Sequence, residues 1–205
     1  TSRDQMAGAG FGVGKAIFGF GNDGSVTGVT NLVSASGVVA SDVSAVGTAR
    51  RWVSGTNFGT DKAIFVFGKP SSDSPADITN LVSNTGVVAS DVTGVGTARE
   101  GTSSTRFGTD GKAVIINGKN SSNSIVNTTN IISSSGVLAS DTTSSGTSNV
   151  YGDAVPYGGD KAIVAFGDTT NISRLITNQG VVGADVTGVG LARYSPAATS
   201  YGYTA

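Results

Sequence analysis

The sequence predicts an all-β protein made of four copies of one unit, on three observations. Glycine supplies 31 of the 205 residues. With abundant Ser, Thr and Asn and few Lys or Glu, this composition favours short strands and tight turns over helices. A lysine-led apolar strand recurs as "GKAIFGFG", "DKAIFVFG", "GKAVIING" and "DKAIVAFG", placing Lys15, Lys62, Lys112 and Lys161 at spacings of 47, 50 and 49 residues. Behind each copy comes a second phrase: "TNLVSASGVVASDVSAVGTAR" from Thr30, "TNLVSNTGVVASDVTGVGTAR" from Thr79, "TNIISSSGVLASDTTSSGTSN" from Thr129 and "SRLITNQGVVGADVTGVGLAR" from Ser173.

The elements within a unit follow from period and punctuation. In "KAIFVFG", Ala63, Phe65 and Phe67 share one face and Ile64 and Val66 the other. Both faces are apolar, so the strand is expected to be buried on both sides. Further strands are expected at "TNLVS", at "GVVAS" and at "VGTAR", which runs toward the next lysine. Turn formers separate them, as in "NDG" from Asn22, "SNTG" from Ser83 and "TNQG" from Thr177. The chain reads as one repeat domain, 1–205, with units at approximately 1–49, 50–98, 99–148 and 149–192 and a partial fifth at 193–205.

A four-stranded unit of about 49 residues cannot bury a two-faced strand alone and must stack on its neighbours. Propeller blades run to roughly 40–50 residues, whereas solenoid rungs are shorter, so a four-bladed β-propeller is expected, with an open β-repeat array or solenoid as the alternative. The segments "TARRWVSGTNFGTDKAIFVFG" from Thr48 and "LARYSPAATSYG" from Leu191 resemble the kelch repeat in their order of Ala-Arg, small residues, aromatic-Gly pair and strand ending in Phe-Gly. The kelch Gly-Gly doublet is a single Gly68 or Gly167 here, and its Tyr and Trp pair is missing. The phrase "TNLVSNTGVVASD" is similar to tandem repeats of tailed-phage virion proteins. That resemblance implies an extracellular or virion location and a structural, fibre-like role.

The landmark arginine occurs at Arg3, Arg50, Arg99 and Arg193, with Asn149 in its place in the fourth unit. From Arg3 to Arg193 is 190 residues, so the first and last segments duplicate one another. Completion of the end units by another copy, or membership of a longer array, is the expectation.

Chemistry is narrowed by absences. The chain has no Cys and no His, which removes thiolate nucleophiles, disulfides, the usual general base and His-based metal sites. A net charge of −1 supplies no field for nucleic acid or an anionic membrane, and no apolar run reaches the roughly 20 residues that span a bilayer. The glycine-rich "GAGFGVGKAIFGFG" around Lys15 fails as a phosphate loop, with Ala9 where Gly is required and Ala16 where Ser or Thr is. The four lysines are read as solvated edges or partners of neighbouring carboxylates. Asp42, Asp91, Asp141 and Asp185 could ring a channel around a cation, but the preferred reading is a turn cap or an ion pair with the Arg of the same "SDxxxxGTAR" block. No catalytic residue, metal or cofactor is assigned, and the chain is read as non-enzymatic.

Function is sought where the units differ. Trp52, Tyr151, Tyr157, Tyr194 and Tyr201 lie in such departures and could stack on sugar rings or anchor a protein. The expected partners are other copies of the chain, other assembly proteins or surface glycans. Asn120, Asn127 and Asn171 open Asn-x-Ser/Thr sequons, a frequent chance match in so polar a chain.

Overall fold

The computed structural model describes residues 1–200 apart from 45 and 169. In the first unit β1 (Ala7–Phe11), β2 (Lys15–Gly19) and β3 (Thr30–Val33) form an antiparallel sheet in that order. The second unit repeats this with β4 (Ser54–Phe58), β5 (Lys62–Val66), β6 (Ile78–Val82) and the short β7 (Val92–Thr93). In the third, β8 (Arg99–Glu100) precedes β9 (Ser103–Phe107) and β10 (Lys112–Ile116). There β11 (Lys119–Asn120) pairs with β8 as a separate ribbon, while β12 (Thr128–Ile132) and β13 (Thr142–Thr143) complete the main sheet. The fourth has β14 (Asp153–Tyr157), β15 (Lys161–Ala165) and β16 (Ser173–Ile176). No helix occurs among the described residues.

The first strand of each sheet was not expected. "AGAGF", "SGTNF" and "SSTRF" are small or polar and rich in Gly and Ser, so they carry weak strand propensity. They pair because the lysine-led strand presents a complete row of backbone groups: Phe58 lies opposite Lys62 and Ser54 opposite Val66. Conversely, "GVVAS" contributes isolated bridges such as Val82 with Val88, and "VGTAR" forms no strand of the main sheets. The first strands lie side by side, β1 against β4, β4 against β9 and β9 against β14.

Three apolar clusters fill the spaces between successive sheets. The first joins Phe11 and Ile17 to Ala63, Phe65 and Val82. Phe58, Ile64 and Val66 meet Ala113, Ile115 and Ile132 in the second, and Phe107, Val114 and Ile116 meet Ala162, Val164 and Ile176 in the third. The two-faced burial expected of the lysine-led strand holds in the middle sheets. The outer sheets each keep one face uncovered: Phe18 is 42% exposed where its equivalent Phe65 is fully buried, and Leu175 is 48% exposed.

Within a unit, the chain entering the sheet is fastened to the outer hairpin by four side chains. In the second unit Arg50, fully buried, donates to Asn80 Oδ1 (2.6 Å) and to the Phe67 carbonyl (2.8 Å). Asn80 donates to Asp91 (2.8 Å), which also accepts from the Thr48 hydroxyl (2.7 Å) and backbone N–H (2.9 Å) and lies 3.7 Å from Arg50 Nη1. Thr97, Arg99, Asn130 and Asp141 repeat the staple, as do Thr1, Arg3, Asn31 and Asp42. This corrects the pairing expected from sequence. Asp91 binds Arg50, which opens its own sheet, and not Arg99 of its own "SDxxxxGTAR" block.

The fourth unit keeps the staple with its parts exchanged. Asn149 stands in the Arg position and Arg174 in the Asn position, and Arg174 Nε lies 3.9 Å from Asp185. Asn149 Nδ2 takes over the bond to the Phe166 carbonyl that Arg50 Nε makes to Phe67 in its own unit. A third change accompanies these two. Arg50, Arg99 and Arg193 stack over Phe20, Phe67 and Phe166 of the preceding sheet at 4.4, 4.8 and 4.8 Å, but the ring missing at the third-to-fourth junction is replaced by Asn117, whose amide oxygen meets Arg174.

Two outcomes follow from the staple. Replacing Arg174 by Asn alone should lower stability by about 2 kcal/mol or more, because Asp185 loses its cation. Adding Asn149→Arg and Asn117→Phe should recover most of it, as read by urea denaturation. Burial opposes the charge on Asp91 and Asp141, but hydrogen bonds from Thr48 and Asn80, and from Thr97 and Asn130, outweigh it and hold both carboxyls below their ordinary 3.8. A depressed folded value gives stability that is complete above the unfolded value and drains as pH falls through the folded one. The melting midpoint should therefore hold near pH 5 and fall below about pH 4, with a shallower fall in Asp141→Asn.

Candidate functional site

The residue two places after each landmark position takes a left-handed backbone: Gln5 (φ 53°), Trp52 (52°), Gly101 (62°), Tyr151 (57°) and Ser195 (45°). Backbone hydrogen bonds link four of them in a relay, from Trp52 N–H to Gln5 O (3.0 Å), Gly101 to Trp52 (3.2 Å) and Tyr151 to Gly101 (2.9 Å). The relay uses no side chain, so the side chains at these positions are free to differ. They do: the dipeptides after the landmark are Asp-Gln, Arg-Trp, Glu-Gly, Val-Tyr and Tyr-Ser.

The second residue of each dipeptide lines a cavity of about 550 Å³, which draws on all four first strands or their approaches and includes Thr102, Asp153 and Pro196. The Trp52 and Tyr151 rings are 6.0 Å apart and Tyr151 and Tyr194 5.2 Å, a ladder crossing from the second unit to the chain after the fourth. Gly101 makes the crossing possible. A Cβ there would stand 2.6 Å from the Tyr151 ring, and its positive φ already disfavours any side chain.

Charges gather beside the ladder. Arg51 sits 4.5 Å over the Trp52 ring and Lys69 5.7 Å, and both reach Asp73, at 3.3 and 3.8 Å. Glu100, only 3% exposed, lies 3.8 Å from Lys69 Nζ. Burial pushes its carboxyl up, and Lys69, Lys119 and Arg51 oppose that shift. Burial, together with Glu100 and Tyr194, pushes the Tyr151 phenol up to about 12. The cavity-lining Asp153 carboxyl is also raised by burial, and its oxygens accept the N–H groups of Ala154 (2.8 Å) and Ala198 (2.7 Å).

Of the aromatic residues singled out from sequence, Trp52, Tyr151 and Tyr194 therefore meet. Tyr157 does not: it ends β14, opposite Lys161 and near the turn, where Phe11, Phe58 and Phe107 stand in the other units. Tyr201 lies outside the described residues. Lys62, Lys112 and Lys161 pair with Asp61 (3.0 Å), Asp110 (2.6 Å) and Asp160 (2.6 Å), while Lys15 follows Gly14 and is exposed. The four repeated aspartates are each spent on a staple, and no group of three His, Cys, Asp or Glu suited to a metal occurs among the described residues. Asn120 accepts from the N–H groups of Ser122 and Ser124, and Asn127 and Asn171 each donate both amide hydrogens to backbone carbonyls, so a glycan on either of the last two would remove one of its two bonds.

Gln5 is not marked out by the sequence; Arg51, Lys69, Glu100 and Thr102 fall in segments where the units differ, "RRW", "KPSSDSPAD" and "EGTSSTR", but of the residues in such departures only the aromatic ones are nominated for binding. The signal lies in the dipeptides after the landmark, which differ in every unit while the lysine-led strand and the phrase behind it repeat.

No protein-family model matches the chain, and no curated protein matches it in sequence. A solved structure titled "Structure of YjhT" is similar in fold, with a TM-score of 0.70 at 11% identity over 92% of this chain. The chain spans 66% of that structure.

Gly101→Ala should push Tyr151 off its place and cost about 1–3 kcal/mol through positive φ and the ring clash together. Trp52 is the sole tryptophan, so a shifted emission maximum alongside the lowered melting point reports the displacement directly.

Proposed function

We propose that this chain is a non-enzymatic adhesive repeat protein, with its four sheets acting as blades of a kelch-like β-propeller, and that it serves an extracellular or virion assembly. One observation carries the reading. Four positions at which the units disagree, Gln5, Trp52, Gly101 and Tyr151, gather at one mouth, while the residues the units share are committed to staples and to the apolar spaces between sheets. Selection for binding leaves that division, because the scaffold is constant and the contact surface is not. The fold similarity to the YjhT structure supports the arrangement of the sheets and carries nothing about activity.

The non-enzymatic reading rests on how the acids are used. Asp153 accepts two backbone N–H bonds and Glu100 lies against Lys69, and no histidine is present to activate a hydroxyl. Contacts are made to other copies or other assembly proteins through the uncovered sheet faces, and to a surface ligand through the mouth.

An array printed with glycans and peptides tests this. The chain should be retained on one class, and Trp52→Ala with Tyr151→Ala should lose at least about tenfold in retention, as removal of a central aromatic anchor does. Val137→Ser on the outer rim should retain normally, and mass spectrometry of the eluted ligand should show no change. Retention that survives the double variant, or chemical conversion of the ligand, overturns the reading.

A further inference from the structure

We infer that the uncovered face of the fourth sheet receives the uncovered face of the first sheet of a second copy of this chain, head to tail; this rests on the reading of the four sheets as equivalent blades. The three seams inside the chain show what such a joint needs. At each, the aromatic residue ending a first strand and an aliphatic residue of the outer strand face the next sheet: Phe11 with Leu32, Phe58 with Leu81 and Phe107 with Ile131. The next sheet meets them with a glycine of its outer turn. A Cβ on Gly86, Gly136 or Gly180 would stand 2.9, 2.7 or 2.6 Å from those rings. A backbone bond of 2.7 Å fastens each seam at the lysine turns, from Gly12 N–H to the Asp61 carbonyl, Gly59 to Gly111 and Gly108 to Asp160.

The two outer sheets hold the halves of a fourth seam. On the fourth sheet Tyr157 takes the aromatic place, Leu175 the aliphatic one and Gly158 that of the donor; on the first sheet the matching places are Gly37 and the Gly14 carbonyl, beside Phe18 and Val39. No described atom comes within 4 Å of a Cβ built on Gly37. Val39 is 58% exposed, whereas Val88, Leu138 and Val182 at its place are buried. Within one chain the two faces do not meet: β1 lies against β4 and β14 against β9, and Phe18, Val39, Tyr157 and Leu175 all stay exposed. Repeat arrays that end in solvent carry a polar outer face, and these faces are apolar. A joint between two different faces is heterologous, so copies added this way form a filament or close into a ring.

One part of the joint is held by the chain itself. Arg193 stacks over Phe166 and its carbonyl accepts from Gly167 N–H, as Arg50 and Arg99 do over Phe20 and Phe67 with Gly21 and Gly68. An incoming Arg3 and β1 claim the same place. β1 is paired with β2 along its length and buries Ala7, Ala9 and Phe11, whereas residues 193–200 form no strand and are exposed apart from Pro196, so they give way.

Sedimentation of the full chain over a range of concentrations tests the inference. The mass should rise above 20.3 kDa as concentration approaches about 1 mM. Val39→Asp and Leu175→Asp should each hold a single-chain mass, and an equimolar mixture of the two should form one-to-one pairs, because each retains the face that the other lacks. Val137→Ser, at a place exposed in every unit, should assemble normally. Arg193→Ala should assemble at about two- to fivefold lower concentration, the worth of one exposed cation–π contact. Circular dichroism establishes that each variant is folded. A single-chain mass throughout for the unaltered protein, assembly by either aspartate variant alone, a mixture of folded variants that stays unassembled, or unchanged or weaker assembly of Arg193→Ala overturns the inference. A chain that never self-associates yet is retained on the array through its mouth overturns the joint and leaves the adhesive reading standing.

Discussion

The fold depends on a guanidinium buried where water cannot reach it. Arg50 and Arg99 are fully buried, and burial lowers each to about 10, still protonated at neutral pH. A charge so placed needs partners, although Arg99 Nε and Nη1 carry no hydrogen bond. It is stacked over an aromatic ring of the preceding sheet and met by the amide of Asn80 or Asn130 in its own, with the carboxylate of Asp91 or Asp141 nearby. One residue thus fixes the position of the entering chain against two sheets at once. The fourth unit shows that the requirement is for the set of groups rather than for any one residue. The cation moves to Arg174, the amide to Asn149, and the aromatic place beneath becomes Asn117 so that an amide carbonyl can meet the relocated charge.

That anchoring explains why the mouth can vary. The landmark residue is immobilised, and two residues later the backbone is held by the N–H relay through Gln5, Trp52, Gly101 and Tyr151. Everything that positions these residues lies in their main chain or in their neighbours. Their side chains can therefore be an amide, an indole, nothing or a phenol without disturbing the scaffold, and Gly101 is the member whose emptiness lets two others touch.

Much of the architecture is legible from residues alone, for a definite reason. The lysine-led strand announces itself through apolar side chains on both faces, and two members of the staple, the Arg and the Asp, through their recurrence; the Thr and the Asn that join them emerge only in the structure. Two things are hidden. The first strands of the sheets are written in Ala, Gly, Ser and Thr, whose alternation carries little hydrophobic contrast, so "AGAGF" reads as a loop until its partner strand is in place. The identity of the ion pairs is hidden because sequence proximity favours Asp91 with Arg99, eight residues away, whereas the hairpin returns Asp91 to Arg50. At the mouth, Trp52, Tyr151 and Tyr194 could be nominated by type, but their meeting depends on the sheets standing side by side, and Glu100 becomes notable only once it is buried.

The uncovered faces of the first and last sheets have a bearing on how the chain acquires its structure. Each unit closes a loop of about the same length when its threonine reaches its aspartate, 43 residues apart in the second unit and 44 in the third. Similar loops cost similar entropy, so no unit is favoured as the starting point on that ground. The difference comes from neighbours: the middle sheets gain an apolar partner on both faces and the outer two on one. In a linear array coupled only between nearest neighbours, order then nucleates in the second and third units and spreads outward. The mouth, which draws residues from every unit and from the chain beyond the fourth, is complete only when all four units are ordered.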